Sequence, residues 1–256
     1  MKTMWIGICL AFQFFSVLPI KREFNMTRAT MTAMYSALPI VGLVFGTVLA
    51  GIYEGLSWLG VSPFFAAVIL VVSHIICTGG LHLDGYVDVS DAFFSYGDKE
   101  KRLQILEDPR TGAFGVISVV VLLMLQTAAT YELLVQNYKY TALLFIVVPI
   151  ILRCGIMLYF TTMRCAKTSG IAYYFATNMK LNVIKVTAIL VMLAVVGTGM
   201  MLQQYALVAI VFMQVLLVFW HRRFSYKHFG GMNGDLAGAI YEGSQAILWL
   251  TVLLFI

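Results

Sequence analysis

Long apolar runs broken by polar stretches dominate the chain, and their lengths set the first expectation. A membrane-spanning helix needs about 20 mainly apolar residues. Segments that approach this length are 4–20, 33–58, 62–81, 112–136, 139–161, 183–202, 204–220 and 236–256. The pattern predicts an all-α polytopic membrane protein with about seven or eight hydrophobic helical segments in one domain, residues 1–256. The first run is short and ends at Pro19, so it reads as interfacial or only partly inserted. The second carries Gly42, Gly46, Gly51 and Gly55, small residues that let helices approach closely.

The connections fall into two classes. Those at 59–61, 137–138 and 203 are tight and nearly uncharged, whereas 21–32, 82–111, 162–182 and 221–235 are longer and polar. The two classes alternate, as consecutive spans require. All 17 Lys and Arg except Lys2, Lys139 and Arg153 fall in or beside the long connections, Lys185 marginally. The positive-inside rule then puts all four long connections, and any polar site they build, on the cytoplasmic face of the cell (inner) membrane.

Composition supports the same reading. Hydrophobic residues make up 61% of the 256 and charged residues 11%, against roughly 45–50% and 25% in soluble domains. Mean hydropathy is +0.90. The net charge of +5 is a topology signal here and not a nucleic-acid footprint. No small-residue cleavage site precedes Lys21 and Arg22, so the first apolar segment reads as retained. Cys9, Cys77, Cys154 and Cys165 are scattered without metal-ligand spacing, and no disulfide framework is expected.

Candidate chemistry is concentrated in Thr78–Gly115. Asp84, Asp88 and Asp91 stand at i, i+4 and i+7, one face of a helix. Like charges at that spacing repel, and a divalent cation among them would relieve the repulsion. Oxygen-only ligands favour Mg²⁺, Mn²⁺ or Ca²⁺, and Mg²⁺ typically combines few carboxylates with substrate phosphates. A solvated acidic helix start is the bland alternative for any one of these residues. Gly79, Gly80 and Gly85 allow unusual backbone angles and close approach to a ligand. His82 is a candidate proton acceptor or ligand, or an interfacial histidine satisfied by backbone. Downstream, Arg110 offers bidentate contacts to phosphate, Asp108 is a further acid, and Gly112 and Gly115 open a helix whose amides could hold an anion. Lys99, Lys101 and Arg102 read as a solvated face.

The last polar stretch joins Arg222 and Arg223, read as topology determinants, to Gly230, Gly231, Gly234 and Asp235. Asn233-Gly234-Asp235 can cap a helix or meet a phosphate or metal. Glu242 follows Asp235 at i+7 inside an apolar span, where an unpaired carboxylate is expensive. Arg153 in the fifth span is a buried cation expected to find an Asp or Glu counterion. Arg164, Lys167 and Lys180 with Tyr173, Tyr174 and Phe175 could receive a nucleotide, or simply form a membrane-surface loop.

These parts describe metal-assisted phosphate chemistry at a membrane surface. A transferase with a diphosphate-activated substrate fits, and an ion transporter is the competing class. Clustering of acids at span ends, and the lack of paired interrupted spans, weigh against transport. HExxH, GxSxG and Walker A motifs are absent.

The run TGGLHLDGYVDVSDAFFS, the later EDPRTGAFG and the late GG-x-x-GD-x-x-GA-x-x-E resemble the cobalamin synthase (adenosylcobinamide-GDP ribazoletransferase) family. The amino-terminal FxFFSVLPI is also similar, so the resemblance covers essentially the whole chain. It implies a Mg²⁺-dependent transfer joining adenosylcobinamide-GDP to α-ribazole or its 5′-phosphate, giving adenosylcobalamin or its 5′-phosphate and GMP. Its first motif falls on His82, Asp84, Gly85, Asp88 and Asp91, with the three aspartates as metal ligands and His82 or Asp108 as proton acceptor. The second falls on Asp108, Arg110, Gly112 and Gly115, and the third on Gly230, Gly231, Gly234, Asp235, Gly238, Ala239 and Glu242, both as phosphate- or substrate-binding elements. Val87, Val89-Ser90, Asn233 and Ala237 depart conservatively from the family pattern. CDP-alcohol phosphotransferase-like and polyprenyl transferase-like enzymes match the spacing less closely. Lipid and the two substrates are the partners implied, nucleic acid is not, and association with copies of itself stays open.

Overall fold

The computed structural model describes residues 2–256 and contains twelve α-helices, with no strand among the described residues. They are α1 (Lys2–Phe15), α2 (Arg28–Ser36), α3 (Leu38–Trp58), α4 (Pro63–Thr78), α5 (Leu81–Phe94), α6 (Lys99–Ile105), α7 (Ala113–Val135), α8 (Thr141–Thr162), α9 (Gly170–Asn178), α10 (Leu181–Met201), α11 (Tyr205–Phe229) and α12 (Gly234–Leu253). Six stretches are long and apolar enough to cross a membrane: Arg28–Trp58 (α2 with α3), α7, α8, α10, α11 and α12. The bent pair α4–α5 makes a seventh if counted as one span. The expected all-helical polytopic architecture is therefore present.

Helix α8 at the centre packs most extensively on α3, and two glycines explain the fit. A Cβ on Gly42 would stand 2.6 Å from the Pro149 carbonyl oxygen, and one on Gly46 2.6 Å from the Ile146 Cα. Gly51 and Gly55, expected to serve the same purpose, face open space. Apolar side chains of α7 such as Val116, Ile117, Val120 and Met124 point outward, as they would toward lipid.

Local sequence explains the breaks. Thr27 and Thr30 form a capping box that starts α2. Pro63 opens α4, and Gly79 and Gly80, both left-handed at φ 65° and 73°, end it. Two successive left-handed residues bend the chain by 94° between α4 and α5.

Three expected boundaries change. The first apolar run is helical only from Lys2 to Phe15, 14 residues, too short to span. The 82–111 connection is not a loop throughout: α5 and α6 occupy most of it. The 221–235 connection is mostly the continuation of α11 to Phe229, which leaves a short turn before α12. Arg102, expected on a solvated face, is half-buried. Its Nη1 meets His228 Nδ1 at 2.8 Å and its guanidinium lies over Phe93, tying α6 to α11.

Candidate active site

The site forms where α5 crosses α12. A Cβ added to Gly85 would lie 2.7 Å from the Asp235 carbonyl oxygen, and one on Gly238 2.8 Å from that of His82. Only glycine at both positions allows this backbone contact. Gly85 thus serves the close packing of a helix and not of a ligand. The crossing sets Asp84 and Asp235 beside one another, and both line a cleft of about 460 Å³. The charged neighbours of Asp88 are Asp84, Asp235 and Asp91. Among the described residues, neither Asp84, Asp88 nor Asp235 has a basic side chain within ion-pairing distance.

The three aspartates of α5 do not share one role. Asp91 is 8% exposed and turns toward the start of α7, where the Gly115 backbone N–H donates to its Oδ1 at 3.2 Å. Gly112 abuts the same carboxylate. The α7 N-terminus thus does hold an anion, namely Asp91 itself. Among the described residues, no three His, Cys, Asp or Glu side chains converge closely enough to share one ion, so the Asp84–Asp88–Asp91 set is not a closed cage. Its open part, Asp84 and Asp88 one turn apart, suits a cation that completes its shell with substrate oxygens.

Asp235 is oriented by its own turn. Asn233 caps α12 by accepting from the Leu236 N–H at 2.8 Å, while its Nδ2 donates to Asp235 Oδ2 at 3.0 Å. The glycines before it serve the backbone. Gly230 ends α11 at φ 78°, and Gly231 lets the extended Arg164–Ala166 segment lie alongside. There the Ala166 N–H donates to the Met232 carbonyl at 2.8 Å and the Met232 N–H to the Arg164 carbonyl at 2.9 Å. Gly234, at the first position of α12, is exposed on the cleft wall.

His82 lies deeper, 4% exposed. Arg153 Nη1 donates to its Nε2 at 2.6 Å. Because guanidinium only donates, that ring nitrogen is an acceptor already occupied, and the ring proton sits on Nδ1. Arg153 was expected to find a carboxylate, but among the described residues none lies within 4.0 Å. It is fully buried, donates to the Phe15 carbonyl at 3.2 Å, and sits over the Tyr241, Phe45 and Phe15 rings. Aromatic faces and neutral acceptors supply what a counterion would. Glu242, 1% exposed, accepts from Gln126 Nε2 at 3.4 Å and leaves its Oε1 without a partner among the described residues. It does not line the cleft.

Asp108 and Arg110 pair with each other on the exposed connection before α7. The Arg110 Nε and Nη2 donate to the two carboxylate oxygens at 2.9 and 2.6 Å. Those side-chain bonds, then the Arg110 backbone N–H, bring the Asp108 carboxyl down to about 2. Neither residue lines the cleft. The basic side chain that does is Lys167, ion-paired with Glu107.

The opposite wall was not visible as a unit in the sequence. Phe14 and Phe15 of α1, Tyr35 of α2, Phe160 of α8 and Phe175 of α9 converge on the cleft. Only Phe175 belonged to an expected binding element. His74, which meets the Tyr241 hydroxyl at 3.0 Å, also escaped notice, although an ionisable residue within an apolar run is a recognisable signal.

The family model described as cobalamin-5-phosphate synthase (CobS) matches residues 7–253. An adenosylcobinamide-GDP ribazoletransferase of Geobacillus kaustophilus (strain HTA426) is 34% identical over 97% of this chain and 95% of its own length. The protein of the same name from Halalkalibacterium halodurans is 34% identical over 95% of this chain and 93% of its own. That of Pseudomonas syringae pv. syringae (strain B728a) is 30% identical, covering 96% and 98%. No solved structure matches the chain.

Proposed function

The chain belongs to the cobalamin-5-phosphate synthase family, and from that premise we propose that it is an adenosylcobinamide-GDP ribazoletransferase. It joins adenosylcobinamide-GDP to α-ribazole or its 5′-phosphate, gives adenosylcobalamin or its 5′-phosphate, and releases GMP. Among the readings the motifs left open, the family match favours this one over CDP-alcohol-type, polyprenyl-type and transport functions. The observation that carries the site assignment is the glycine crossing that sets Asp84 of α5 beside Asp235 of α12 on the lining of one cleft, with Asp88 one turn from Asp84 just outside that lining.

In this reading a ribose hydroxyl of the acceptor attacks the phosphorus attached to cobinamide. A new phosphorus–oxygen bond forms, the bond to the bridging oxygen breaks, and GMP leaves with that oxygen. Asp235 Oδ1, free while Oδ2 is held by Asn233, takes the hydroxyl proton. Asp84 and Asp88 would hold magnesium against the donor diphosphate, where the ion supplies neutralisation of phosphate charge. Lys167 and the exposed start of α12 at Gly234 attract the remaining phosphate oxygens. His82 and Arg153 form the buried floor that fixes the start of α5.

The four long connections, or the helix ends beside them, all contribute cleft residues, which supports a site at one end of the bundle. By charge asymmetry that end faces the cytoplasm at the cell membrane. Purified protein in lipid vesicles should release GMP from adenosylcobinamide-GDP only when both α-ribazole and Mg²⁺ are present. Equal release after chelation would exclude the metal assignment, and ion flux without GMP release would exclude the enzyme.

A further inference from the structure

Five aromatic rings from four helices line the same cleft as Asp84 and Asp235, and their arrangement leaves one polar atom among them. Tyr35 sits at the centre, with ring centroids 5.7 Å from Phe15, 4.7 Å from Phe160 and 5.6 Å from Phe175, while Phe14 meets Phe175 edge-on at 5.7 Å. Tyr35 is only 5% exposed, yet it lines the cleft. Its hydroxyl has no hydrogen-bond partner among the described residues; its titratable neighbour is Cys165 on the same wall. The side chain is otherwise enclosed and its hydroxyl is not among the fully buried unpaired atoms, so an unpaired donor left open at the cleft points to a ligand acceptor.

We infer that this wall binds the aromatic base of the ribazole acceptor, with the Tyr35 hydroxyl donating to the base's free ring nitrogen. The inference rests on the transferase reading and adds a specificity determinant to it. A benzimidazole joined to ribose through one nitrogen is a flat, apolar bicycle with a single in-plane acceptor. One donor among five rings matches it. Guanine carries several donors and acceptors along its edge, which this ring cluster would leave unpaired at a cost. The corrin of the donor is too large for a cleft of about 460 Å³, a size suited to a nucleoside. Asp84 and Asp235 line the same cleft, so a base held by these rings leaves its ribose in the cavity that contains the acids.

The test compares α-ribazole with the isosteric riboside of 5,6-dimethylindole, in which a C–H replaces the ring nitrogen. GMP release from adenosylcobinamide-GDP is measured with each riboside, for the full-length protein and for Tyr35→Phe. The unsubstituted protein should favour α-ribazole, with kcat/KM higher by about two- to tenfold, the range of one neutral hydrogen bond. Tyr35→Phe should lose that preference while its KM for adenosylcobinamide-GDP stays unchanged. An undiminished preference in Tyr35→Phe, or none in the unsubstituted protein, overturns the hydrogen bond and leaves the transferase reading standing. No GMP release from either riboside overturns both. If Tyr35→Phe does not fold, Phe175→Leu should raise KM for the two ribosides alike and not for the donor, and a donor-only effect overturns the assignment of the wall.

Discussion

Asp235 meets Gly85 backbone to backbone, so closely that no side chain larger than hydrogen fits at residue 85. The contact joins two motifs some 150 residues apart in sequence and brings Asp84 and Asp235 to the lining of one cleft. Gly85→Ala must push α12 from α5, at an overpacking cost of about 1–3 kcal/mol. Activity should fall more than tenfold, with a lower thermal midpoint. Gly51→Ala, which faces open space, should be neutral or stabilising because alanine favours helix. Activity and melting assays on both variants check the contrast.

Asp91 and Asp84 should separate cleanly. Removing the Asp91 carboxylate leaves the Gly115 N–H and the α7 N-terminus without their anion, costing about 1–3 kcal/mol. Asp91→Ala therefore lowers the unfolding midpoint. Asp84→Asn, at an exposed position, leaves the midpoint in place and abolishes GMP release. Paired melting and turnover measurements distinguish the two roles.

His82→Gln keeps an acceptor for Arg153. General-base catalysis contributes about 10²–10⁴-fold, so loss of a true base would be severe and would alter the pH profile. With His82 committed to Arg153, kcat should drop less than about tenfold and the pH dependence of kcat should not move.

The Asp108–Arg110 pair makes a pH prediction for the connection before α7. The Asp108 carboxyl titrates at about 2 when folded, below its ordinary 3.8. A depressed folded value means the contribution is complete above the ordinary value and is lost as pH falls through the folded one. Hydrogen-exchange protection of residues 108–112 should be constant from pH 7 to about 4 and decline toward pH 2. In Arg110→Ala the Asp108 carboxyl should titrate near its ordinary value, read by NMR.

The membrane class, the seven or so spans and the acid-rich segment were legible in the sequence because hydropathy and charge act locally. The role of each motif residue was less so. Spacing correctly places Asp84, Asp88 and Asp91 on one helix, but only the position of α7 shows that Asp91 is spent on Gly115. Gly85 and Gly238 carry no sign of their partners, since a close approach belongs to two helices at once. The aromatic wall draws two residues from α1 and one each from α2, α8 and α9, so no window of sequence contains it. Arg153 violates the expectation of a counterion because aromatic faces and a histidine nitrogen, which no charge count registers, surround it.

The central claim is that the acids of α5 and α12 act as one site. Its most direct test is the rate of GMP release by the unsubstituted protein, Asp84→Asn, Asp235→Asn and the double variant, in the same lipid with Mg²⁺, α-ribazole and adenosylcobinamide-GDP. Residues that act as a unit are strongly non-additive. Each single variant should lose about as much rate as the double, with all three inserted and melting like the unsubstituted protein. Near-normal turnover in either single variant, or losses that simply multiply in the double, would contradict the account.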